Sequence, residues 1–192
     1  MKQRSREIVD IFADVVAETA KDCTIMQTFP DGKEQTIACP AVHYIFGNGQ
    51  YVKDHLDELS KAVNGNASKF PLIALFLPVK ESRNNPDYHS TAKVSLLIAC
   101  SSDRRWSNEQ REVYSFRNIL RPIYESLKKA LAEDGRLDLG YEDIIPHEYS
   151  ENYTYGKYGA MTSAGDEVSE PIDAINITNL EIKIIKLNCR QQ

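Results

Sequence analysis

The chain has 192 residues, enough for one domain with a real core. Apolar residues make up 42% and charged residues 27%, which excludes wholesale disorder. A formal net charge of −5 with no basic block disfavours binding by broad neutralisation of phosphates, and leaves Arg104-Arg105 as the best local basic patch.

Ile8, Ile11, Phe12, Val15, Val16 and Thr19 recur at helical spacing and predict an amphipathic helix over 5–20. "DCTIMQTF" reads as a strand, "PDGKE" as a turn in which Asp31-Gly32 supply positive φ, and "QTIACPAVHYIF" as one longer strand. Pro40 lacks an N–H, so that strand is expected at an edge or with a bulge. Gly47-Asn48-Gly49 then leads into a second helix marked by Tyr51, Val52, His55, Leu56, Leu59 and Val63, ended by "NGNAS".

Two unbroken apolar runs follow, "FPLIALFLPV" and "KVSLLIACSS", as suits central strands covered on both faces. The polar link between them, "KESRNNPDYHSTA", is too short for a crossover helix, so the runs are expected to pair antiparallel. Ser107 and Gln110 form a capping-box signature at the start of the longest helix. Its stripe is Val113, Phe116, Leu120, Ile123, Leu127 and Leu131, interrupted by Pro122, which should kink it, and Gly135 is the expected stop. Residues 136–170 lack periodicity and read as a long loop or arm. "IDAINITNLEIKII" reads as a last strand with a bulge near Thr178-Asn179. The expected fold is a single α+β domain over 1–192, a mostly antiparallel sheet with helices packed on it, in the order α-β-β-α-β-β-α-loop-β.

The chemistry is sparse. Gly47-Asn48-Gly49 has the look of a phosphate loop, but Gln50 and Tyr51 stand where a P-loop needs Lys and Ser or Thr, and Val52 stands at the third glycine of a dinucleotide fingerprint. His55 and Glu58 lie three apart on one helical face, short of the three or four ligands a zinc site wants. Cys100-Ser101-Ser102-Asp103 ends an apolar strand and is the one place for a hydrolase nucleophile, without the glycines of a nucleophile elbow. Cys23, Cys39, Cys100 and Cys189 form no CxxC pair and are expected as free thiols in a reducing cytoplasm. The N-terminus shows no signal-peptide core, and no apolar stretch approaches the roughly 20 residues of a membrane span, so a soluble protein is expected.

Two stretches suggest contacts. Arg104, Arg105 and Trp106 sit where a strand turns into the long helix; Trp106 either packs on that helix or anchors a partner. Tyr141, Tyr149, Tyr153, Tyr155 and Tyr158 crowd one aperiodic stretch, as in binding loops. These eight are the candidate interface; no catalytic, cofactor-binding or metal-binding residue is assigned.

In order along the chain, "YIFGNGQYVKDHLDEL", "KFPLIALFLPVKE", "LRPIYESLKKAL", "YGKYG" and "PIDAINITNLEIKI" resemble small neck and tail-completion proteins of tailed bacteriophages and prophages, especially those of Bacteroidetes. The succession of elements is similar to the tail-terminator fold over roughly residues 5–185. The resemblance implies a structural virion protein, not an enzyme, with no cofactor. It implies a homo-oligomeric ring, usually a hexamer, contacting tail-tube and neck proteins at the link 80–93 and the 136–170 arm. A head-closure or connector subunit is the alternative; a small hydrolase or a ligand-binding adaptor remains open on the residues alone. A ring lumen passing DNA is compatible with a mildly acidic surface, without sequence-specific contact or a membrane.

Overall fold

The computed structural model describes residues 5–28, 33–61, 69–85, 88–139, 145–158 and 170–185, with backbone alone for 28, 57–61, 85, 154–158 and 170. It is a single α+β domain with three helices and a mostly antiparallel sheet. Helix α1 (Ile8–Asp22) buries Ile11, Phe12, Val15, Val16 and Thr19, the stripe its spacing predicts. Strands β1 (Thr24–Thr28) and β2 (Glu34–Ala38) pair antiparallel in a sheet of their own. The expected turn residues Asp31-Gly32 lie outside the described residues, as do Val63 and the "NGNAS" stop.

The run "QTIACPAVHYIF" is not one strand. It breaks after Ala38, around Pro40, and resumes as β3 (His43–Gly47) in the other sheet, because a proline cannot donate to the ladder. β3 pairs parallel with β4 (Leu72–Asn85) through helix α2 (Gly49–Lys61), the single parallel pair in a six-stranded sheet of order β3-β4-β5-β8-β6, with β7 also on β8. Asn48 caps α2: its Oδ1 accepts from Tyr51 N–H at 2.8 Å and its carbonyl from Val52 N–H at 3.0 Å. Gly47 is needed for space, since a Cβ there would sit 2.5 Å from the Tyr51 ring. The glycine turn is thus a helix cap at the end of an edge strand.

β4 and β5 (His89–Ser101) are antiparallel neighbours as expected, and the polar link lengthens both strands rather than looping out. Beyond Phe76 the outer edge of β4 has no strand partner among the described residues; it carries Pro78, Lys80 and Arg83.

The long helix α3 is built of Asn108–Arg111, a π-helical segment Glu112–Leu120, and Arg121–Glu133. The Ser107–Gln110 capping box is present in both directions, at 3.3 and 2.9 Å. The irregularity expected from Pro122 takes the form of a register change: Arg121 N–H reaches back five residues to the Phe116 carbonyl. A wider turn carries the preceding carbonyls clear of the proline ring, which an α-helical turn would crowd. The described part of 136–170 is not a plain loop. They include β6 (Leu137–Asp138) and β7 (Glu148–Tyr158), both antiparallel to β8 (Glu170–Ile185).

The sheet has two buried faces. Ile73, Leu75, Val94, Leu96, Ile98, Ile175 and Ile177 pack toward α1 and α3; Leu72, Ala74, Leu97, Ala99, Ile172 and Ala174 pack with Val52 and Leu56 of α2. Along β8 the residues facing α1 and α3 change from Ile175 and Ile177 to Leu180, Ile182 and Ile184, from odd to even numbers. A β-bulge makes that change possible. Leu96 pairs with Ile177 but Val94 with Leu180, so Thr178-Asn179 stand opposite a single residue, where the sequence places the bulge. Asn179 has φ 54°, a left-handed conformation that asparagine tolerates. Without the extra residue the later isoleucines would face the wrong side, each losing about 1.5–3 kcal/mol of burial.

Asn179→Val should therefore destabilise the fold by about 1–2 kcal/mol, because a β-branched residue resists positive φ, whereas Asn179→Gly should be tolerated. Urea denaturation curves of the two variants decide it; equal midpoints would sink the argument.

Candidate functional site

The strand-to-helix junction at 101–111 is organised by a buried ion pair. Asp173 on β8 is fully buried, and Arg111 on α3 is 4% exposed. Arg111 Nη1 donates to Asp173 Oδ1 at 2.8 Å, and the other carboxylate oxygen accepts from Ser102 Oγ at 2.7 Å and Ser115 Oγ at 2.6 Å. The same guanidinium donates to the Asp103 carbonyl at 2.8 Å and, at 3.4 Å, to the Trp106 carbonyl. One arginine thus fastens the whole 102–107 loop to the central strand. Composition and periodicity gave no sign of it, because Arg111 and Asp173 are distant in sequence and each reads alone as a surface residue.

That loop presents the predicted contact residues. Arg105 is largely exposed but engaged with Asp103 through its backbone N–H at 2.8 Å and its side chain at 3.1 and 2.8 Å. The Arg105 hydrogen bonds hold the Asp103 carboxyl down to about 2. Arg104 is exposed beside it. Trp106 is half-buried, edge-on to Tyr114 with ring centres 5.2 Å apart, so it does pack on its own helix. It also lines an open groove of about 830 Å³ between the β1–β2 hairpin and the sheet. Ile25, Met26 and Ile37 form the hairpin wall, Phe70 and Pro71 the sheet end, and Trp106 and Tyr114 the helix wall.

The Cys100–Asp103 turn does not assemble a nucleophile with a base. Cys100 is buried, and burial pushes its thiol up to about 12. Ser102 donates to Asp173, and Asp103 is taken by Arg105. His55 stacks on His43 with ring centres 5.6 Å apart, and among the described residues no group of three or more His, Cys, Asp or Glu is placed to hold a metal ion. Among them, too, no helix is long and apolar enough to cross a membrane.

The tyrosine stretch proves largely intramolecular where it is described. Tyr153 donates to Glu112 Oε2 at 2.6 Å and packs on Phe116, ring centres 4.4 Å apart. Tyr149 donates to Glu151 and packs on Tyr124 at 4.9 Å. Arg121 ties these together, with Nε 2.7 Å from Glu151 and Nη1 2.6 Å from Glu112. Glu112 and Arg121 are nine positions apart on α3. In an α-helix, about 100° per residue would put them on opposite faces. A π-helix, at roughly 4.4 residues per turn, brings them to one face. β7 is therefore clamped to α3 rather than free, although Tyr149 and Tyr153 keep 41% and 37% exposure. Tyr155 and Tyr158 lie on β7 by backbone, their side chains outside the description, and Tyr141 is outside it altogether.

A second surface was not foreseen. Phe46, Tyr51 and Leu77 are 44%, 55% and 38% exposed. They lie about the end of β3, where Gly47 pairs with Phe76: Phe46 beside Tyr44 on the face turned toward α1 and α3, Tyr51 on α2 over the opposite face, and Leu77 next along β4. Each reads in sequence as part of an ordinary strand or helix stripe.

Arg111→Met or Asp173→Ala alone should cost about 3–5 kcal/mol, because each leaves a buried charge unpaired, while replacing both by apolar residues should recover much of it. Urea unfolding of the singles and the double reads this directly, and additive losses would refute the pair. The clamp on β7 should also fail in acid. Glu112 and Glu151 are held below their ordinary range, in each case chiefly by Arg121. Their contribution is complete above the unfolded carboxylate range near ~4.3 and fades as pH falls through the lower folded values. Tyr153 is pushed up to about 12 by the Glu112 carboxylate, so its contribution is complete below the unfolded value near ~10 and is lost as pH rises through the folded value. Hydrogen exchange of β7 amides should accelerate at both extremes, relative to the β5 amides, and Arg121→Gln should abolish the acid limb.

No protein-family model matches this chain, and no curated protein matches it either.

Proposed function

We propose that this chain is a structural subunit of the neck or tail junction of a tailed phage, similar to a tail terminator, which acts by assembling with copies of itself into a ring in the virion. The observation that carries the reading is the set of exposed apolar side chains about the end of β3, Phe46 on the face turned toward α1 and α3, Tyr51 on α2 over the opposite face, and Leu77 on β4, beside a stretch of β4 with no strand partner among the described residues. Patches of this kind mark contact surfaces, and a surface offered to a different surface of the next copy closes into a ring when the rotation permits. Tyr88, 53% exposed near the tip of the β4–β5 hairpin, gives the opposite end of the same strands a contact residue. The absence of a nucleophile–base pair among the described residues of the Cys100–Asp103 turn supports a role without catalysis, and no cofactor is invoked. A head-closure or connector subunit would use the same surfaces in a neighbouring layer.

A ligand-binding adaptor is the second reading, favoured by the groove at Trp106. Trp106 and Tyr114 line that groove together with the apolar side chains of the β1–β2 hairpin. The chain has one tryptophan, so its fluorescence reports on that groove alone.

Native mass spectrometry and electron microscopy of the purified chain, alone and with tail tubes, test the proposal. A closed ring is expected, lost in Phe46→Glu/Leu77→Lys with the circular dichroism of the fold retained. A chain that stays monomeric and ignores tubes, yet changes Trp106 emission on adding an apolar ligand, would move the reading to the adaptor.

A further inference from the structure

The small hairpin is flanked by cysteines. Cys23 directly precedes β1 and Cys39 directly follows β2. The ladder pairs Thr24 with Ala38, and the same register sets Cys23 opposite Cys39, whose N–H donates to the Cys23 carbonyl at 2.9 Å. Opposite residues of this hydrogen-bonded kind have Cα atoms about 5.5 Å apart, within the span of a disulfide. The two thiols are in hydrogen-bond contact with each other, both buried, both free.

We propose that Cys23 and Cys39 are a redox-active dithiol, which a small disulfide oxidant such as glutathione disulfide converts into a cross-strand disulfide at the base of the hairpin. The inference is independent of the assembly reading. The Cys39 side chain lowers the Cys23 thiol below its ordinary value, against the effect of burial and with help from Ser126. Cys39 is held up as the proton donor of the pair. Cys23 is therefore the attacking thiolate near neutral pH, whereas Cys100, pushed up to about 12 by burial, is inert.

Cys23 Sγ attacks one sulfur of glutathione disulfide. A mixed disulfide forms on Cys23, and the first glutathione leaves as thiolate. Cys39 then gives up its proton and attacks Cys23 Sγ, expelling the second glutathione. Two protein thiols are oxidised and one glutathione disulfide is reduced to two glutathiones. Access comes from local opening of the hairpin, a separate sheet of two five-residue strands that has no further strand partner among the described residues. Once formed, the bond would fix the wall of the groove that carries Ile25, Met26 and Ile37.

The full chain is incubated with glutathione disulfide at neutral pH, quenched with N-ethylmaleimide, digested and mapped by mass spectrometry. The expected product is lighter by two hydrogens, has lost alkylation at Cys23 and Cys39, and yields a cross-linked peptide joining them. Cys39→Ser should stop at glutathione on Cys23. Should that variant misfold, Cys39→Ala and the wild-type peptide map carry the same test. The proposal is overturned if both cysteines remain fully alkylatable under conditions that oxidise the urea-unfolded chain, or if the disulfide formed joins other cysteines.

Discussion

The Arg111–Asp173 pair is the interaction on which the architecture turns. It joins the start of the long helix to the strand that holds the sheet together, since β8 is the partner of β5, β6 and β7 alike. A buried pair of this kind gains little net stability against a well-packed apolar alternative. Its effect is positional. Asp173 sits between Ile172 and Ala174 in a buried part of β8, and an acid there admits only a helix that brings an arginine to it. The hydroxyls of Ser102 and Ser115 complete the carboxylate's bonds, so the 102–107 loop, with Trp106 on it, has one course from strand to helix.

The π-helical segment is a second constraint of the same type. It answers Pro122 locally and has a distant effect, because it alone aligns Glu112 with Arg121 and so gives β7 a place to dock. Local backbone chemistry thereby decides where a strand some thirty residues later is held.

Much of the fold was legible in the sequence. The α1 stripe, the β4–β5 pairing, the Ser107 capping box and the Thr178-Asn179 bulge follow from periodicity and cap chemistry, and all are present. What escaped reading depended on tertiary context. Pro40 signalled an edge or bulge, yet whether the chain resumes in the same sheet is decided by which partner strand is near. β7 has no alternation to detect, because its outer side chains bind the polar flank of α3 rather than a core. The contact residues divided in the same way. Trp106 faces a groove as well as its helix, while Tyr149 and Tyr153 were recognisable as aromatic contacts but not as internal ones, since the acids and arginine they meet lie on another element.

The unpaired edge of β4 has one more consequence. Beside an exposed apolar patch, a bare strand edge would invite any other strand to add to it, and such addition has no natural end. Pro78 interrupts the donors of β4, and the charged run Lys80, Glu81 and Arg83 follows it, as on edges that resist strand addition. The surface can then associate through side chains while its backbone declines to polymerise.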